Sequence, residues 1–113
     1  MSTQEVLNAG RELFNQGQYF EAHEVWEDAW RVETGATRQL LQALIQVAAG
    51  CHKASLNEPR GTVKLLASAV VKMVDLPVLA GFRDKVLDAL VIAQRWEQGG
   101  PPYVPHLQLD QRF

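Results

Sequence analysis

From Gln39 to His52 the chain carries no Asp, Glu, Lys or Arg, and this run limits the fold more than any other stretch. Wound at 100° per residue, Leu40, Leu41, Leu44, Ile45, Val47, Ala48 and Cys51 cover most of the circumference, and Gln39, Gln42, Gln46 and Lys53 form a polar strip. A helix apolar on so many sides has to be surrounded by others. The spacing therefore predicts a central helix from Arg38 to about Leu56 in an all-α bundle, with Thr37 as its N-cap. Gln42 and Gln46 are expected at the edge of the core, where they need partners.

The remaining helices follow from their stop and start signals. Ser2-Thr3-Gln4-Glu5 reads as a capping box and Gly17 as the matching stop, with Val6, Gly10, Leu13 and Phe14 as the apolar face between them. Gly10 lies in that face, where a missing side chain lets another helix come close. The short turn Asn15-Gln16-Gly17-Gln18 forces an antiparallel hairpin into a second helix, Tyr19 to Glu33. Asn57 and Pro59 start a fourth helix that runs to about Asp75 and buries Val63, Leu66, Ala67, Val70, Met73 and Val74. A fifth, near Phe82 to Gln98, buries Phe82, Val86, Ala89, Leu90, Ala93 and Trp96. Gly99-Gly100-Pro101-Pro102 ends all helix, and an extended tail is expected to be strapped over the bundle by Tyr103, Val104, Leu107 and Leu109, with His106 at the surface. At 113 residues this is one domain of about five helices, with core helices over 3–98 and a tail over 99–113.

The run from Gly10 through Ala29 is similar to one tetratricopeptide unit. An offset of about forty residues lays Asn57-Glu58-Pro59 over the first turn, which suggests a second hairpin but no repeat array. Leu65, Ala69 and Val71 on helix four, and Leu87, Val91 and Ile92 on helix five, fall outside the core stripes. Two helices with the same excess point to a homo-oligomer, a dimer being the simplest.

A formal charge of −2 argues against nonspecific nucleic-acid binding, which needs a basic field. Arg60, Lys64 and Lys72 share one helix side with Ser68 and read as a solvated face. The single cysteine, Cys51, has no internal partner, and no basic segment followed by an apolar run opens the chain, so a cytoplasmic protein is expected. No apolar run is long enough to span a membrane.

The chemistry would lie in the second helix. Tyr19, His23, Trp26 and Trp30 share a face there, Ala22 and Ala29 flank it, and Glu27 is one turn from His23, which turns an imidazole and a carboxylate toward the core. An ionisable group taken from water is destabilising unless it is paired or holds a metal. Side chains at i and i+4 are neighbours, and His23 with Glu27 can reach one divalent ion, such as zinc, manganese or iron, at about 2.0–2.2 Å. His52 is the best third ligand by residue type, with Glu24, Gln42 and Gln46 as supporting groups or ligands. The competing reading makes the His23–Glu27 pair structural, packed by Trp26 and Trp30 and fixing helix register.

The pattern Leu13-Phe14-Asn15, Gly17, Tyr19-Phe20-Glu21-Ala22-His23-Glu24, Trp26-Glu27 and Trp30, followed by Leu41-Gln42, Leu44-Ile45-Gln46, His52, Asn57 and Gly61, resembles the bacterial and archaeal family catalogued as domain of unknown function 309. The resemblance covers helix one to the start of helix four. It implies a small all-helical protein, and its recurring His-x-x-x-Glu-x-x-Trp motif, here His23, Glu27 and Trp30, implies metal binding. Ala43 stands where members often carry glycine, a change that concerns close helix packing.

Three functions stay open at this point. The first is a divalent-metal or small-ligand binder using His23 and Glu27. The second is a protein-interaction module in which that pair only holds helices together. The third is a metal-dependent hydrolase with Glu24 or Glu27 as base.

Overall fold

The computed structural model describes residues 1–113, and all of its regular structure is helical: α1 (Thr3–Asn15), α2 (Tyr19–Trp30), α3 (Gly35–Ser55), α4 (Pro59–Met73) and α5 (Ala80–Glu97), with a 3-10 turn at Pro77–Leu79 before α5. Helices pack in chain order, α1 on α2, α2 on α3, α3 on α4 and α4 on α5, which gives an elongated body of 43 × 25 × 22 Å. The charge-poor helix α3 holds the middle, with Leu41, Ala43, Leu44, Val47, Ala48 and Cys51 all inaccessible. No helix is long and apolar enough to cross a membrane.

The capping box forms as expected: the Glu5 N–H donates to Ser2 Oγ at 3.1 Å and the Ser2 N–H donates to the Glu5 carboxylate at 3.2 Å. The Ser2 backbone N–H, with the Ser2 hydroxyl beside it, holds the Glu5 carboxyl below the ordinary carboxylate range. Three helices end in the same way. At the end of α1 the Gln18 N–H donates to Leu13 O and the Gly17 N–H to Phe14 O. The pairs Glu58 to Lys53 and Asn57 to Ala54 close α3, and Gly100 to Arg95 and Gly99 to Trp96 close α5, all at 2.8–3.0 Å. This is the Schellman closure, and it needs a left-handed residue. Gly17 (φ 81), Asn57 (φ 60) and Gly99 (φ 99) supply it.

Those endings show a repetition that residue identity hides. Gly17 and Asn57 are forty residues apart, and so are Gly10 and Gly50. A Cβ at Gly10 would fall inside the Trp26 indole, and one at Gly50 would fall 3.0 Å from Leu66 Cδ2. Trp26 and Leu66 are again forty apart, so α1–α2 and α3–α4 are two hairpins closed by the same glycine contact with a different side chain filling it. α5 follows as a single helix, and the tail packs between it and α1.

Several boundaries and faces differ from expectation. α2 stops at Trp30 rather than Glu33, and α3 starts at Gly35, with Thr34 and not Thr37 in the cap position. Gly35 can adopt φ 62, which turns the chain between the two helices earlier than a threonine cap would. The buried stripe of α4 is Thr62, Leu66, Ala69 and Met73. Ala69, expected outside the core, is therefore inside it, and Val74 is 58% exposed beyond the helix end. Tyr103, Leu107 and Leu109 of the tail are buried in the same cluster as the helices, whereas Val104 is 72% exposed.

Candidate functional site

On α2 the inward face is Ala22, Trp26 and Ala29, so the two alanines expected on the flank are at its centre. Trp26 is fully buried against Gly10, and its indole N–H donates to Leu7 O at 3.2 Å. His23 and Glu27 are displaced to one side by the helical step. They are half-buried at the edge of the bundle, not in the core, with side chains 27% and 32% exposed. They do meet: His23 Nε2 and Glu27 Oε2 are 3.1 Å apart. Arg31, one turn further on, donates to Glu27 Oε1 at 2.8 Å and to Asp28 Oδ1 at 2.7 Å. The carboxylate is therefore shared between an imidazole and a guanidinium, which is the arrangement of a satisfied surface network.

The other sequence-expected residues are distributed around this edge. His52 on α3 packs against the Phe20 ring at 5.2 Å between centroids, and Phe20 in turn stacks on His23 at 6.1 Å. His52 does not join the pair, and no three His, Cys, Asp or Glu side chains are grouped closely enough to hold one ion. Glu24 is exposed and lines a shallow cleft of about 160 Å³ with Phe20, His23, Glu27, Asp28 and Arg31. Gln42 and Gln46 line a second cleft of about 260 Å³ with Glu27, Trp30 and Ile45. The Arg38 guanidinium covers the Trp30 ring at 4.0 Å. Tyr19 packs edge-on against Phe14, and burial pushes its phenol up to about 12, with Cys51 contributing.

With Nε2 facing the carboxylate, the neutral His23 tautomer leaves Nδ1 unprotonated, and that atom is buried with no partner in the protein. An ion on Nε2 would move the ring proton to Nδ1, where no acceptor is in reach. In metal sites that N–H is ordinarily bound by a carboxylate or carbonyl.

A second constellation, which sequence reasoning did not single out, lies where the tail crosses the end of α1. The side chain of Asn15 pairs with the backbone of Leu109: its amide donates to Leu109 O at 3.0 Å and its carbonyl accepts from the Leu109 N–H at 2.7 Å. Gln108 donates to Asn15 O at 3.1 Å, Lys85 pairs with Asp110 at 2.9 Å, Gln111 donates to Val78 O at 3.1 Å, and Gln4 donates to Phe113 O. Leu107 and Leu109 are buried while Gln108 between them is exposed, the alternation of an extended segment lying in a trough. Phe14 of α1 also meets Phe82 of α5 edge to face at 6.0 Å. An asparagine at a helix end beside a glycine turn would have been the only available signal, and the turn itself explained it.

Fold and contacts together define a small all-helical protein of consecutive hairpins and a last helix packed against an extended segment of its own chain. The family described as Domain of unknown function (DUF309) matches residues 7–65. That is just over half of the chain and takes in both hairpin turns and the His23–Glu27 edge, and the protein belongs to this family. No curated protein and no solved structure matches the chain.

Proposed function

We propose that the protein is an interaction module whose trough between α1 and α5 holds an extended polypeptide segment, with the His23–Glu27–Arg31 network, which lies wholly on α2 and its C-cap, serving to stiffen that helix. One observation carries this: Asn15 clamps both backbone groups of Leu109 as a neighbouring strand would. Backbone pairing recognises the main chain of any extended segment, and the two leucine positions recognise side chains. The exposed apolar residues Val71, Val74, Val78, Val91 and Ile92 add a surface suited to contact between copies in a homo-oligomer. A reducing cytoplasm suits a protein whose one thiol is buried and unpaired.

A labelled peptide with the sequence of residues 103–113 tests this against a full-length chain whose own tail is kept out by Leu107→Asp and Leu109→Asp. The peptide is expected to bind that chain saturably and to bind wild type far more weakly, because an attached tail competes at an effective concentration in the millimolar range. Adding Asn15→Ala should remove the binding. A tail-displaced chain that keeps its helical circular dichroism and binds no peptide would overturn the proposal.

Binding of a divalent transition metal is a second reading, favoured by the 3.1 Å approach of His23 Nε2 to Glu27 Oε2. Two donors at that separation can each lie about 2.0–2.2 Å from one zinc, manganese or iron ion while Arg31 stays on Oε1. Water or a second molecule would supply the remaining ligands, because His52 stands apart. Stoichiometric uptake by wild type, lost in His23→Ala, is the expected result. Protein free of metal by elemental analysis after incubation with each ion would remove this reading, and with it a metal-dependent hydrolase using Glu24 or Glu27 as base.

A further inference from the structure

The tail leaves α5 through the same closure that ends α1 and α3, and that closure sets its direction into the trough. Gly99 closes α5 at φ 99, and a Cβ on Gly100 would fall 2.8 Å from Arg95 O. Only glycine accepts both conditions without strain. Pro101 and Pro102 then stiffen the departing chain. The reversal into the chain's own trough therefore rests on two glycines, and the segment beyond it carries all the groups that dock.

The docked tail does not fill the surface beside it: an open cleft of about 270 Å³ lies between the tail and α5, bordered by Lys85, Asp88, Ile92 and His106 among others. The Tyr103 hydroxyl is buried with only the His106 backbone N–H near it and makes no hydrogen bond of good geometry, so the docked tail exchanges a full hydrogen bond to water for a poor one. Nothing in these contacts depends on the tail belonging to the same chain. An identical segment from another copy meets Asn15, Lys85 and Val78 in the same way, and the exchange then relieves the reversal at Gly99.

We infer that residues 103–113 form an exchangeable strap, and that a second copy of this chain is the partner whose strap fills the trough. The inference rests on the peptide-binding proposal above. In the closed form the two glycines keep the strap in its own trough. In the exchanged form each Asn15 clamps the Leu109 of the other copy.

The test mixes two full-length chains of different mass, one carrying Lys85→Cys and the other Asp110→Cys, with a short bismaleimide. Both positions are exposed and face each other across the docked tail, and the native Cys51 is buried, its thiol pushed up to about 12 by burial, so it does not react. Exchange predicts cross-linked heterodimer whose yield rises with protein concentration. Placing Gly99→Val in both chains should raise that yield about tenfold, because a β-branched residue resists the left-handed reversal, and Asn15→Ala should reverse the rise. Gly100→Ala serves the same purpose if the valine variant does not fold. The inference is overturned if neither glycine variant gives heterodimer while a single chain carrying both cysteines cross-links internally. In that outcome trans binding of the free peptide would leave the trough proposal standing, and its absence would remove both.

Discussion

At the scale of single residues, the closest fit in the molecule is Gly10 under Trp26. Gly10→Ala places a methyl group inside the indole ring and pulls the Trp26 N–H from Leu7 O. We expect a loss of about 1–3 kcal/mol in urea unfolding, with a red shift in tryptophan emission as the measurement of displacement. Tyr103 gives a prediction with a definite sign. Burial, with the Cys51 thiol and the Tyr19 phenol nearby, holds its phenol well above the ordinary value of 10.0. The folded state thus keeps a proton that the unfolded state releases. The contribution is fully present below pH 10 and is lost as pH rises from there toward the folded value. Cys51 and Tyr19 act in the same direction, so Tyr103→Phe should reduce the alkaline loss of stability without abolishing it. At neutral pH the same change removes a buried hydroxyl that makes no hydrogen bond of good geometry and should leave stability equal or higher. A wild type and a variant with identical urea midpoints above pH 10 would show that Tyr103 does not titrate as described.

At the scale of helices, the controlling devices are the closures. Asn57 is the one non-glycine residue with positive φ. It closes α3 with the bonds that Gly17 and Gly99 make elsewhere. Asn57→Val should destabilise the protein by about 1–2 kcal/mol, measured by thermal melting, and Asn57→Gly should not. The element order, the capping box, the central place of α3 and the extended tail were all legible in the sequence, because each depends on local chemistry: caps, breakers and the width of an apolar stripe. The faces of α2 and α4 were read one step off. The wheel gives residue spacing but not where neighbouring helices lie, and the alanines at positions 22, 29 and 69 mark close approach without announcing it by size. His23 and Glu27 were expected to meet and do. That they share the carboxylate with Arg31 was present in the i,i+4 spacing, but a metal-centred view gave no reason to look for a cation there. The Asn15 clamp was not legible, since it joins residues 94 apart in sequence.

At the scale of the whole molecule, two hairpins and a single helix make a stack whose first and last helices are bridged by a segment that is not a helix. The apolar groups of Tyr103, Leu107 and Leu109 belong to the common core, yet the chain enters it past a glycine closure and is held by side-chain hydrogen bonds, chiefly the Asn15 clamp on Leu109, and no regular secondary structure. A ligand-like tail and an integral core element differ in one respect, namely whether the tail can leave while the helices stay folded. Hydrogen exchange of the Leu109 amide decides this most directly. We expect it to exchange through local opening, at a clearly lower free energy than the amides of Leu44 to Ala48 in α3, and to exchange faster still in Asn15→Ala with the α3 amides unchanged. Leu109 and α3 exchanging together, at the free energy of global unfolding in both proteins, would contradict the account.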